Sequence, residues 1–317
     1  MIRVFYGDNH ELHWKKNPVA LQSENGERII WVDLQCPSEE EKRQVEEAFG
    51  IEFFTPQEAA EIESSSRYLE DSQGFEANTA FLVQEDKAYR TKQVSFILKK
   101  DVLFTLREAD LNSFAETVRK LKTFKKGGSR KPFQIWLLLI ESQIDLDADF
   151  IEYLTRVTNT VSKRLVKEKS IQEETLLRIT QLQEYTILIR GSIVDKQRLV
   201  SSLLRSAQVD KSERARLRIV FKDINSLLQH TQFSFERLEY LQNTFLGLVN
   251  IEQNQVIKIF TVVTVIFLPP TLVASLYGMN FAYMPELKWV FGYPFAIGLM
   301  IVSSLAFLWY FKRKNWL

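Results

Sequence analysis

The chain has 317 residues with 41 Lys and Arg against 40 Asp and Glu, and its formal net charge of +1 supplies no global basic field for nucleic acid. A single cysteine, Cys36, excludes an internal disulfide, and the three histidines, His10, His13 and His230, lack the spacing of a zinc site. The average hides a division, because residues 1–257 carry 39 of the 40 acidic and 36 of the 41 basic side chains while residues 259–285 carry none.

The opening stretch MIRVFYGDNHELHW has no apolar core of signal-peptide length, so a cytosolic N-terminal domain is expected, with His10 and His13 as surface side chains near an N-terminal strand. RIIWVDL (28–34) is a strand candidate. In the CPSEEEKRQVEEAFG that follows, Ser38 is placed to cap a helix whose first turn is acidic. TPQEAAEIE repeats the device with Thr55 as cap, Pro56 at the first helical position and Glu58 three residues after the cap. FEANTAFLVQE, QVSFILKK and VLFTLRE read as adjacent strands of a mixed sheet. Residues 1–131 are therefore expected to form an α/β domain.

Pro132 is the last proline before Pro269, and only Gly191 and Gly247 interrupt the helical composition between them. Three long helices are predicted, with turns near Lys169–Ser170 and Val209–Ser212. In the third, Leu217, Phe221, Ile224, Leu228, Thr231, Phe235, Leu238, Gln242, Phe245 and Val249 alternate spacings of four and three, a heptad seam with two polar members. No turn residue separates this seam from the apolar run that follows. One helix from about Ser212 to Tyr277 is predicted, roughly 100 Å long at 1.5 Å per residue. Residues 132–257 are then a helical bundle and stalk. A rod of that length is expected to self-associate, the alternative being that it packs only on its own two preceding helices.

Ile259–Leu276 and Val290–Phe311 are uncharged and long enough to cross a bilayer, which needs about 20 apolar residues. Spans at about 259–277 and 290–311, joined by roughly Gly278 to Trp289, make residues 258–317 a transmembrane hairpin. Lys258 precedes the first run and Lys312, Arg313 and Lys314 follow the second, so both ends are expected in the cytoplasm, with Trp309, Tyr310 and Trp316 at the lipid interface. The fold class is an α/β cytosolic domain followed by a long α-helical stalk and two C-terminal transmembrane helices.

One face of the first span carries Asn254, Ile257, Phe260, Thr264, Leu268, Thr271 and Ser275, mixing hydroxyls with apolar side chains that could form water-excluding collars around an axis. The same hydroxyls also suit helix–helix contacts. Pro269 and Pro270 release the carbonyls of Val265 and Ile266, which water in a lumen or a packing neighbour must satisfy. No ionisable residue lies inside either span, which argues against a proton relay. The polar equipment is Asn280, Gly278 and the carbonyls at a helix C-terminus, where the partial charge is negative. Neutral oxygens of this kind suit a cation that keeps its hydration shell, as Mg²⁺ does. The glycine pair at 127–128 lacks the pattern of a phosphate-cradling loop, and nothing else suggests an enzyme.

Tyr277, Gly278, Met279, Asn280 and Phe281 form the stretch YGMNF, which resembles the signature of the CorA family of magnesium channels. Its place after the first of two C-terminal spans, the MPEL at 284–287, the GYP at 292–294 and the basic-aromatic end strengthen the likeness. NIEQNQVIKIF (250–260) looks like the enterobacterial branch, and the strong match covers about Asn250 to Leu317. The resemblance implies a funnel-shaped homopentamer in the bacterial inner membrane. Its pore would be lined by the first span, with Asn280 and Gly278 at the outer mouth selecting Mg²⁺ through its hydration shell. It implies passive influx driven by the membrane potential, where 100 mV is worth about 4.6 kcal/mol for a dication. Co²⁺ and Ni²⁺ are further candidate ions, membrane lipid is a partner, and no cofactor is implied besides transported and regulatory Mg²⁺. Relatives close when cytosolic Mg²⁺ occupies acidic sites between subunits, but the corresponding stalk position is Asn243 here. Glu39 to Asp71, with 11 acidic and 3 basic residues, is the candidate sensor region. The alternatives are a membrane-anchored coiled-coil scaffold without conduction, and zinc transport by the related branch whose signature departs from GMN.

Overall fold

A computed structural model describes residues 1–7, 12–16, 28–55, 58, 67–86, 88–123, 131–168, 172–281 and 284–314. Two compact units divide it, Met1–Leu241 and Gln242–Leu317.

The first unit is built on a seven-stranded sheet of β1 (Ile2–Gly7), β2 (Leu12–Lys16), β3 (Arg28–Gln35), β4 (Tyr68–Asp71), β5 (Gly74–Glu85), β6 (Ala88–Lys99) and β7 (Val102–Arg107). The order is β2-β1-β3-β7-β6-β5-β4, and β3–β7 is its parallel pair. The four strand candidates in the sequence are β3, β5, β6 and β7; the sheet is mixed, as expected. β3 reads RIIWVDL because both its faces are covered, so an apolar run replaces alternation. On one face Val4, Val32, Leu34, Ile97 and Phe104 pack with Val45 of α1 (Glu39–Phe49). On the other, Trp31 stacks on Phe5 at 4.2 Å and lies near Phe114 of α2 (Asn112–Thr123).

The predicted caps have physical counterparts. Ser38 accepts from the Glu41 backbone N–H, and the Glu41 carboxylate accepts from the Ser38 N–H, closing a capping box. Gly50 ends α1 at φ 62°, a left-handed conformation that a Cβ would disfavour. Thr55 and Glu58 exchange the same reciprocal bonds. Pro56 and the helix expected after it lie outside the described residues, as do His10, the turn at Lys169–Ser170 and Trp316.

Three long helices follow: α3 (Pro132–Glu168), α4 (Glu173–Arg205) and α5 (Lys211–Tyr277). The third has 67 residues and starts one residue before the sequence expectation. Its heptad seam turns inward within the chain: Leu217, Ile224 and Leu238 are fully buried and Thr231 nearly so. Alongside it, Asn225 accepts from Gln197 of α4 at 2.6 Å, Gln232 accepts from Arg190 of α4 at 2.8 Å, and Arg216 pairs with Glu141 of α3. Up to Leu238 the seam is therefore used by the chain's own helices, the alternative weighed against self-association. The exposed apolar residues of the helix are a different set, including Ile219, Phe233, Tyr240, Leu246 and Ile251.

Candidate functional site

The second unit contains the end of α5, a 3-10 turn at Pro285–Lys288, and α6 (Gly292–Arg313). Both helices are long and apolar enough to cross a membrane, and little of either apolar stretch is buried. On α5, Val262 is buried and Val265, Ile266, Pro269, Pro270, Val273 and Tyr277 are half-buried, a stripe at helical spacing. The Ser304 hydroxyl of α6 donates to the Ile266 carbonyl at 3.3 Å, which places α6 on this stripe.

The face singled out in the sequence lies roughly opposite. Asn254, Ile257, Phe260, Thr264, Leu268, Thr271 and Ser275 are all exposed. Thr264, Leu268, Thr271 and Ser275 line one open groove together with Phe267 and Leu272. Sequence reasoning had not named these last two; their place one residue before or after Leu268 and Thr271 was the available signal. The Thr264 hydroxyl donates to the Phe260 carbonyl at 2.8 Å, and that of Thr271 to the Phe267 carbonyl at 2.7 Å. Each hydroxyl has thereby committed its only hydrogen to its own helix, and the side it presents outward can only accept.

At the end of α5 the Gly278 N–H donates to the Ala274 carbonyl at 2.9 Å and the Met279 N–H to that of Leu276 at 3.4 Å. The carbonyls of Ser275 and Tyr277 receive no backbone donor among the described residues. Gly278 does not take the left-handed conformation that a turn-forming glycine suggests. The constraint is one of space instead, since a Cβ there would lie 3.1 Å from the Ala274 oxygen. Asn280 and Phe281 are exposed beyond Tyr277, and Asn280 makes no hydrogen bond to another described residue. Trp289 lies 6.2 Å from Phe291 and 5.8 Å from Phe295, and at the other end of α6 the Arg313 guanidinium lies 5.4 Å from the Trp309 ring.

Of the acidic region from Glu39 to Asp71, several members are engaged locally. The terminal ammonium and the Ser38 N–H hold the Glu41 carboxyl below its usual range, and backbone donors of Gln73 and Gly74, with Lys99, do the same for Asp71. Glu70 accepts from Tyr68 and Ser206. Among the described residues no group of three or more His, Cys, Asp or Glu side chains could hold a metal ion, and Asn243 is exposed on α5.

An α/β domain, long helices and a C-terminal hairpin of two apolar helices closed by a polar turn define an integral membrane protein. The chain belongs to the CorA-like Mg²⁺ transporter protein family, whose model matches residues 26–313. It is 38% identical over 298 residues to the magnesium transport protein CorA of Wolinella succinogenes, covering 91% of each chain. It is 37% identical to that of Escherichia coli, with 100% of each chain covered. The fold matches the complete structure of the CorA magnesium transporter from Methanocaldococcus jannaschii with a TM-score of 0.83 at 20% identity, covering 100% of this chain and 99% of that one. The likeness thus reaches far into the N-terminal domain, beyond the 250–317 region that carried it in the sequence.

Proposed function

We propose that the chain forms a homopentameric channel for passive Mg²⁺ influx through a bacterial inner membrane, with both termini in the cytoplasm and the hairpin of residues 258–317 in lipid. The observation that carries the reading is that one acceptor-bearing face of α5 is exposed and that Asn280, three residues beyond its end, is exposed too. A hydrated cation presents water hydrogens outward, and Thr264, Thr271, the Ser275 and Tyr277 carbonyls and the Asn280 amide oxygen offer acceptors to them. Gly278 gives backbone access beside Asn280. Phe260 and Leu268 are the apolar collars of this arrangement, able to stop flow by excluding water. Asn254 and Ile257 extend the same face toward the cytoplasm.

The magnesium transport proteins named above support Mg²⁺ as the ion; Co²⁺ and Ni²⁺ are further cargo in this proposal. The exposed apolar residues of α5 leave surface for other copies of the chain. Cytosolic Mg²⁺ closes the pore in this reading, through acidic residues other than position 243, with Glu39 to Asp71 as the candidate region.

The test is Mg²⁺ influx into proteoliposomes under an inside-negative potential, with the purified protein beside Asn280→Ala. Rapid uptake that fails in the variant is expected. Absence of uptake by the folded wild type at low internal Mg²⁺ would overturn conduction and leave a membrane-anchored scaffold.

A further inference from the structure

Two adjacent prolines remove two backbone donors from the middle of an apolar span, and the oxygens they release need new partners in a medium without water. Pro270 is four residues after Ile266, so the Ile266 carbonyl is one of the two released. Ser304 of α6 donates to this oxygen at 3.3 Å. The neighbouring Ser303 instead donates to Met300 of its own helix at 2.9 Å, so the two serines divide their roles. Ile266 and Pro270 both belong to the stripe facing α6, whereas Leu268 and Thr271 face away from it. A bond at Ile266 therefore ties α6 to the point where α5 is least held by its own ladder. It does so without occupying the groove.

We propose that Ser304 is a positioning residue for the first span: its hydroxyl replaces the donor that Pro270 removes and so sets the direction of the following segment, from Thr271 to Asn280, relative to α6. The proposal rests on the conducting role described above. Its partner is chosen by chemistry, since a hydroxyl is the smallest donor that an apolar helix can carry into lipid without a charge. The predicted consequence is conditional on the proline. With an ordinary residue at 270, the helix supplies its own N–H to Ile266 and the hydroxyl becomes redundant.

Four proteins test this: wild type, Ser304→Ala, Pro270→Ala and the double variant, reconstituted at equal oligomer content and assayed for Mg²⁺ uptake and thermal midpoint, with Ser304→Thr as the conservative control. Ser304→Ala is expected to slow uptake about three- to tenfold, matching the range of hydrogen-bond energies between membrane helices. Ser304→Thr is expected to retain the wild-type rate. In the Pro270→Ala background the same serine change should alter rate and midpoint less than about twofold and not measurably, respectively. Wild-type rates in Ser304→Ala, or an equal loss in both backgrounds, would overturn the proposal while leaving conduction intact. If the wild type does not conduct, the functional reading fails instead, and the dependence of the midpoint on both residues still decides whether the hydroxyl compensates for the proline.

Discussion

Lys196 places its ammonium 3.1 Å from the Asp147 carboxylate, and neither side chain has meaningful access to solvent. The same ammonium donates to the Ala80 carbonyl at 3.0 Å and to the Ser192 hydroxyl at 2.6 Å. One cation thus joins α3, α4 and the centre of β5. Removing one partner of a buried pair leaves the other charge without compensation, at a cost of about 3–5 kcal/mol. Lys196→Met is expected to lower the stability of the full-length protein by that order, read as a fall in the unfolding midpoint in guanidinium. An unchanged midpoint would show that the pair does not hold these layers together.

The same pair sets a pH dependence. Burial pushes the Asp147 carboxyl above its ordinary value of 3.8, with Lys196 and Gln143 opposing the shift. The folded chain consequently holds that proton more tightly than the unfolded one, so this group's contribution is fully present below 3.8 and is lost as pH rises through the raised value. Asp147→Asn removes the titration. Its midpoint should vary less with pH than that of the wild type as pH rises above the ordinary value of 3.8, and parallel curves would contradict the assignment.

At the polar turn, Gly278→Ala brings a methyl group to 3.1 Å from the Ala274 oxygen, the acceptor of the Gly278 N–H itself. The Ala274 carbonyl or the turn must give by a few tenths of an ångström, and Asn280, two residues on, is expected to move with the turn. Mg²⁺ uptake is expected to fall about tenfold, equivalent to about 1.4 kcal/mol, with the amount of folded oligomer unchanged. Wild-type uptake would mean that the turn does not position Asn280 for the ion.

Thr271 separates the hydroxyl from the shape of the side chain. Thr271→Val keeps the branching and removes the outward acceptor, whereas Thr271→Ser keeps the acceptor. Uptake is expected to fall about two- to tenfold in Thr271→Val, the range of one hydrogen bond, and to stay near wild type in Thr271→Ser. Equal rates in all three proteins would remove this hydroxyl from the path of the ion.

Much of this was legible along the chain because the relevant signals are local. Ser38 followed three residues later by Glu41 announces its helix, and the absence of proline from 133 to 268 announces the helices between them. The stretch YGMNF could be read as a unit for the same reason. Trp31, Asp33 and Arg107 could not be read in that way. The Asp33 carboxylate accepts from Thr105 and Arg107, more than 70 positions away, in a parallel pairing that no local pattern specifies. Ser304 was missed although Ser303 and Ser304 are the only serines of an otherwise apolar second span. Their meaning depends on which helix lies beside them.

The sequence by itself determined where the apolar spans begin and end, the length of the helix that enters the first of them, and the face that gathers Thr264, Leu268, Thr271 and Ser275. Charge content and helical periodicity are properties of neighbours in the chain, so no further information was needed. Only the tertiary structure decided that the heptad seam from Leu217 to Leu238 is spent within the chain, that the opposite side of the first span meets α6, and that a serine 38 positions after Ile266 answers the carbonyl released by the proline at 270. Periodicity says that a face is apolar, but which surface covers it depends on the competing contacts of the whole folded chain.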